Sequence, residues 1–142
     1  MMNRRFLAPA LVGLMLLLGA CSKASGVGGT TITVPTARPS SPAQLTVVAP
    51  KNGQRVKGSE VTVRLKLTGA RIVHPTTKHI TPTTGHIHVS LDRRIVSMNY
   101  GLTDTIANVR PGTHVLRVEF VASDHLPFDP RVVSAVVFRV AK

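Results

Sequence analysis

Residues 59–69 read SEVTVRLKLTG. Val61, Val63, Leu65 and Leu67 occupy alternate positions, with Thr62, Arg64, Lys66 and Thr68 between them. Successive side chains of a strand point to opposite faces, so this alternation predicts a strand with one buried and one solvated face. A helix would scatter both sets around its circumference.

Working outward, the neighbouring segments carry the same signal. Leu45–Pro50 (LTVVAP) predicts a strand stopped by its proline, and Asn52-Gly53 marks a turn behind it. Ala70–Gly85 is a threonine-rich loop containing Pro75 and Pro82. His86–Asp92 (HIHVSLD) predicts a strand, Arg93–Gly101 its return, and Leu102–Val109 a further short strand. Arg110–Val121 (RPGTHVLRVEFV) is a turn followed by a long strand in which Leu116, Val118 and Phe120 share one face and Arg117 and Glu119 the other. Ala122–Pro130 (ASDHLPFDP) is a proline-marked loop, and Arg131–Lys142 closes the chain with Val136, Phe138 and Val140 as its expected buried set. No helical apolar period occurs after Cys21. About seven short strands, with turn signals between them and no βα alternation, predict an all-β, Ig-like β-sandwich over residues 45–142. A small closed barrel is the alternative.

Residues 1–20 stand apart. MMNRR is short and basic, and the apolar run Phe6–Ala20 is too short for a bilayer span, as expected of a secretory signal peptide. It ends in LLGAC, where Leu18, Gly19, Ala20 and Cys21 resemble the bacterial lipoprotein signal. The resemblance implies cleavage before Cys21 and lipidation of its sulfur. Cys21 is the single cysteine of the chain, so it has no partner for an internal disulfide. Residues 21–44 are rich in Gly, Ser, Thr and Pro and predict a flexible tether between lipid and domain. The expected address is the cell envelope, on the outer face of the plasma membrane or on an outer membrane. The expected membrane contact is the anchor.

Eighteen Lys and Arg against six Asp and Glu give a net charge of +12. Such a surface suits an anionic leaflet, an anionic envelope polymer or an acidic protein partner. Nucleic acid is not expected: the chain carries export signals, and its single tyrosine and lack of tryptophan leave no stacking platform.

The residues with chemistry to offer are mostly histidines. In HIHVSLD, Ile87, Val89 and Leu91 form the core side, so His86, His88 and Ser90 face solvent, the edge of the other sheet, or a loop folded over them. Two imidazoles two residues apart on a strand can share a metal ion, copper or zinc. A further ligand would come from His125 or His114, with Asp124, His74 and His79 as other candidates. Met98, on the hairpin partner of the histidine strand, offers a thioether suited to copper. The structural reading of the same residues has His114, Asp124 and Gly112 pinning loops by hydrogen bonds.

Three stretches, His86–Asp92, Pro111–His114 and Asp124–Pro130, resemble a group of bacterial exported and lipoprotein domains built around an HxHvxvD strand, a PGTH turn and a DHxPxxP loop. The resemblance covers roughly residues 45–140. It implies an Ig-like fold and an envelope location, and it brings no substrate and no catalytic set. Motifs for catalysis are absent as well: the chain has no G-x-S-x-G elbow, no H-E-x-x-H and no glycine-rich phosphate loop. The expectation is therefore a non-enzymatic binding or structural module, with a copper- or zinc-binding protein using His86 and His88 as the alternative.

Overall fold

The computed structural model describes residues 37–74 and 79–142. The expected signal peptide, the expected lipidation site Cys21 and the expected tether as far as residue 36 lie outside the described residues. Nine strands follow in order: β1 (Gln44–Ala49), β2 (Arg55–Val56), β3 (Val61–Thr68), β4 (Arg71–Ile72), β5 (Thr84–Leu91), β6 (Arg94–Asn99), β7 (Thr103–Ile106), β8 (Gly112–Ala122) and β9 (Pro127–Val140). They divide into a three-stranded sheet, β1-β3-β7, and a six-stranded sheet, β2-β9-β8-β5-β4, with β6 also on β5. The architecture is all-β and sandwich-like, and the strands form two sheets instead of one closed barrel.

The alternation of Val61–Thr68 carries directly into burial. Val61, Val63 and Leu65 are inside while Thr62, Arg64 and Lys66 are exposed. Facing them from the larger sheet are Ile87, Val89, Leu116, Val118, Phe120, Phe138 and Val140, all in one core cluster. Phe120 stacks on Phe128, with ring centroids 5.5 Å apart. Burying large side chains of this kind is worth about 1.5–3 kcal/mol each, and no disulfide is needed to hold the sheets together.

The count exceeds the expected seven because β2 and β4 are two-residue strands that pair in parallel with β9 and β5. Segments that short have no periodicity to read. Val136 is only half-buried, while Phe138 and Val140 are fully inside.

The folded unit also reaches back beyond the expected boundary at Leu45. Ala43 is buried, the Pro39 carbonyl accepts a hydrogen bond from the Asp129 amide at 3.1 Å, and Arg38 is bound to the β8–β9 turn. Part of the stretch assigned to the tether by composition is thus packed structure.

Two local features fix the ends of β5. A Cβ at Gly85 would run into the Val121 carbonyl oxygen, so only glycine lets β8 approach this closely. At the other end, Asp92 and Arg93 have φ of 49° and 71° and make the two-residue hairpin into β6. Positive φ at both loop positions matches the right-handed twist of the strands.

Candidate metal centre

β5 has both faces buried. Ile87 and Val89 point into the core, and His86, His88 and Ser90 point the other way, yet His86 is 0% and His88 9% exposed. Of the three surroundings that parity allowed, the structure has the loop folded over them. The cover is the turn between β8 and β9, Ser123–Leu126, together with Tyr100 at the end of β6.

The turn is held from several directions. The His125 amide donates to the Ala122 carbonyl and the Ala122 amide to the Leu126 carbonyl, both at 3.0 Å. Asp124 Oδ1 accepts from the Leu126 amide at 3.1 Å. Arg38 forks onto both Asp124 oxygens at 2.7 and 3.0 Å, and also donates to the carbonyls of Pro127 and Leu126. The Arg38 guanidinium, helped by the Leu126 amide, holds the Asp124 carboxyl below the usual carboxylate range. Within this clamp His125 sits at φ 65°, which turns its ring back over β5.

Three ring nitrogens converge as a result. His86 Nε2 lies 3.1 Å from His88 Nε2 and 3.0 Å from His125 Nδ1. Among the described residues these three form the group whose ligand atoms all lie within 4.8 Å of one another. A tetrahedral ion bound at about 2.0–2.1 Å would set its ligand nitrogens about 3.3 Å apart, close to the two separations measured from His86 Nε2.

The protons point the same way. A neutral imidazole has a single N–H, so His86 Nε2 can donate to only one of its two close neighbours. His86 Nδ1 is buried and has no hydrogen-bond partner among the described residues. Burial first, then the neighbouring His125 and His88, lowers the pKa of His86 to about 4. Burial and His125 also lower that of His88, against a smaller opposing pull from Glu119. These two imidazoles therefore stay neutral at ordinary pH, which is the form that binds metal. A buried polar group without a partner costs about 1–3 kcal/mol. The cluster is thus poorly satisfied as a hydrogen-bonded network and well arranged as a ligand set.

Two neighbours of the cluster were not identified from the sequence. Glu119, placed by parity on the face away from the core, is only 3% exposed and stands directly across from His88 in the β5–β8 register. Arg131 binds it at 2.6 and 2.8 Å and Arg117 at 2.9 Å. Burial pushes the Glu119 carboxyl up, but the two guanidiniums outweigh it and hold the group below the usual range. Arg38 was the second omission. No local pattern signals either residue, because each finds its partner only in the assembled sheet.

The other candidates lie elsewhere. His114, considered as a metal ligand, does not join the cluster. Its Nδ1 meets Asp92 Oδ2 and its Nε2 the Arg110 carbonyl, both at 2.7 Å, so neither nitrogen is left for an ion. Asp92 Oδ1 also accepts from the Val115 amide at 2.9 Å. Gly112, at φ 146°, starts β8 beside this contact. Burial pushes His114 toward neutrality, but Asp92 and the Arg110 carbonyl outweigh it and raise the pKa. His74 stacks on Tyr100 at 4.4 Å, and Tyr100 lies 5.5 Å from His86. The His79 carbonyl accepts from Ser123 Oγ at 3.1 Å.

No family model matches this chain, and no curated protein matches it. Among solved structures it is similar to the fibronectin(III)-like modules of Clostridium thermocellum CbhA, with 17% identity and a TM-score of 0.52 over 69% of this chain and 96% of that one. Weaker matches are a PKD domain of human KIAA0319, at 16% identity and TM-score 0.40 over 84% of this chain and 92% of that one, and a Thermotoga petrophila endo-beta-1,4-mannanase, at 14% identity and TM-score 0.47 over 70% of this chain and 20% of that one. Of these three, the CbhA modules are alike enough in shape to argue from, and at that identity they speak to the fold alone. The chain is an all-β module with a distant Ig-like, fibronectin(III)-like fold.

Proposed function

We propose that this protein is a non-enzymatic module of the cell envelope that binds one transition-metal ion, copper or zinc, through His86 Nε2, His88 Nε2 and His125 Nδ1. The observation that carries this reading is the convergence of three ring nitrogens, two on buried and neutral imidazoles, with too few protons and partners to satisfy them as a network. Three protein ligands leave one position of a tetrahedral ion open to water or to a further donor. In this proposal the lipid on Cys21 holds the module at the outer face of the plasma membrane, or at an outer membrane. The basic surface favours an anionic leaflet, an anionic envelope polymer or an acidic protein partner. The fold-level likeness to fibronectin(III)-like modules fits a binding role without catalysis.

The test is a competition titration of the full chain with Cu²⁺ and Zn²⁺. A Cys21→Ser background keeps the thiol from contributing. One-to-one binding at micromolar affinity or tighter, lost in His86→Ala/His88→Ala while the circular dichroism spectrum stays that of a β-protein, is the expected result. Binding that is absent, or equally strong in the double variant, would return the histidines to a structural role.

A further inference from the structure

The cluster supplies three ligands, and the next donor decides which metal it prefers. In the β5–β6 register Met98 stands directly across from His88. Directly opposed residues of an antiparallel pair share a face, with Cβ atoms about 4.5–5.5 Å apart. The thioether sulfur of Met98 therefore originates beside the His88 ring, on the same outer face of the sheet. Met98 is 49% exposed, so its side chain is not committed to the core and can swing inward.

The two carboxylates beside the cluster are occupied. Glu119, across from His88 on the other side, already engages Arg117 and Arg131 with both oxygens. Asp124, next to His125 in the chain, is forked by Arg38. Among the described residues, the donors this leaves beside His88 and His86 are three imidazoles and one thioether, none of which brings a negative charge to an ion.

We infer that Met98 is the fourth ligand and that the site is built for monovalent copper. This inference rests on the metal-binding reading above. Two physical arguments support it. A thioether is a soft donor, which favours Cu(I) over the harder divalent ions. The cost of moving an ion out of water rises with the square of its charge, and no free carboxylate is present to offset a second positive charge. Burying Cu⁺ among neutral donors costs far less than burying Zn²⁺ there. With zinc or Cu²⁺ the same cluster would keep water at the fourth position and leave Met98 outside.

The experiment pairs Met98→Leu with the parent protein, both as the full chain in the Cys21→Ser background. Leucine is close to methionine in volume and carries no sulfur. Cu(I) affinity is measured anaerobically against a chromophoric chelator, Zn(II) affinity by competition, and the copper ligands by X-ray absorption. The expected result is one sulfur scatterer at Cu(I) in the parent that is lost in Met98→Leu. Cu(I) affinity should fall at least about tenfold, the size that loss even of an outer partner has at metal sites. Zn(II) affinity should stay unchanged, which also shows that the histidine cluster is intact in the variant. Equal Cu(I) affinity in both proteins and an all-nitrogen shell would overturn the role of Met98 and leave the three-histidine site standing. Failure of the parent to bind any of these ions would overturn both.

Discussion

The two ends of β5 use histidine in opposite ways. At its C-terminal end Asp92 receives His114, whose second nitrogen meets the Arg110 carbonyl, so both ring nitrogens are satisfied. Toward its N-terminal end His86 and His88 meet His125, and both hydrogen-bonding neighbours of His86 Nε2 are ring nitrogens. The first arrangement is complete without a ligand. The second is short of protons and partners, with the buried His86 Nδ1 unpartnered among the described residues. The lesson is that burial and proximity do not separate a structural histidine from a binding one. The separation comes from counting donors and acceptors at each nitrogen.

This contrast can be broken by mutation, and the largest effect belongs to the cluster. His86→Leu should reduce Cu(I) and Zn(II) affinity by about a hundredfold or more, beyond the range typical of outer partners. The same substitution loses the His86 Nε2 contacts but also removes a buried nitrogen with no partner among the described residues, so the two effects offset and the metal-free protein should unfold close to the parent's temperature. His114→Ala should do the reverse. It should leave metal affinity unchanged and cost about 1–2 kcal/mol of stability, the discount reflecting the exposure of Asp92. That is roughly a 5–10 °C drop in unfolding midpoint for a domain of this size. Calorimetric melts with and without Zn²⁺ read both variants.

A smaller effect is expected from Arg38→Ala. Arg38 touches no histidine but holds the turn that presents His125, so its removal should weaken metal binding roughly tenfold. Titration of that variant checks whether the clamp positions the third ligand. A metal affinity equal to the parent would mean the turn holds His125 unaided.

The pH dependence of stability sharpens the comparison further, because the two ends of β5 differ in sign. His86 and His88 have folded pKa values below the unfolded value of 6.5, about 4 for His86. The unfolded chain therefore binds more protons there, and the metal-free protein should lose stability as pH falls from 6.5 toward 4. His114 has a folded pKa above 6.5, so its contribution is complete below that pH and fades as pH rises through the folded value. Denaturant melts across this range should show the acid-side loss reduced in His86→Leu and the loss on the alkaline side of 6.5 reduced in His114→Ala.

Much of this was legible in the chain because strand parity is a local property. The alternation of residues 59–69 set one strand, and the same rule put His86 and His88 together on the face away from the core. Sequence could not say what covers that face. His125 is brought in by a turn 39 residues further on, and its direction depends on a left-handed backbone and on Arg38. Glu119 obeys parity but not its usual consequence, because two arginines close over it. Arg38 sat in a segment whose composition read as tether, and a single arginine carries no sign of a distant carboxylate. His114 was the converse case: it has the residue type of a ligand, but the Arg110 carbonyl four residues earlier in the same turn takes one nitrogen, and Asp92, which only the folded sheet brings near, takes the other.

The most direct measurement is anomalous diffraction from crystals of the protein grown with Zn²⁺ or copper, with data collected at the metal edge. The account predicts one strong peak bonded at about 2.0–2.1 Å to His86 Nε2, His88 Nε2 and His125 Nδ1. No peak at that point, with the three rings still packed against one another while metal binds elsewhere on the surface, would contradict it.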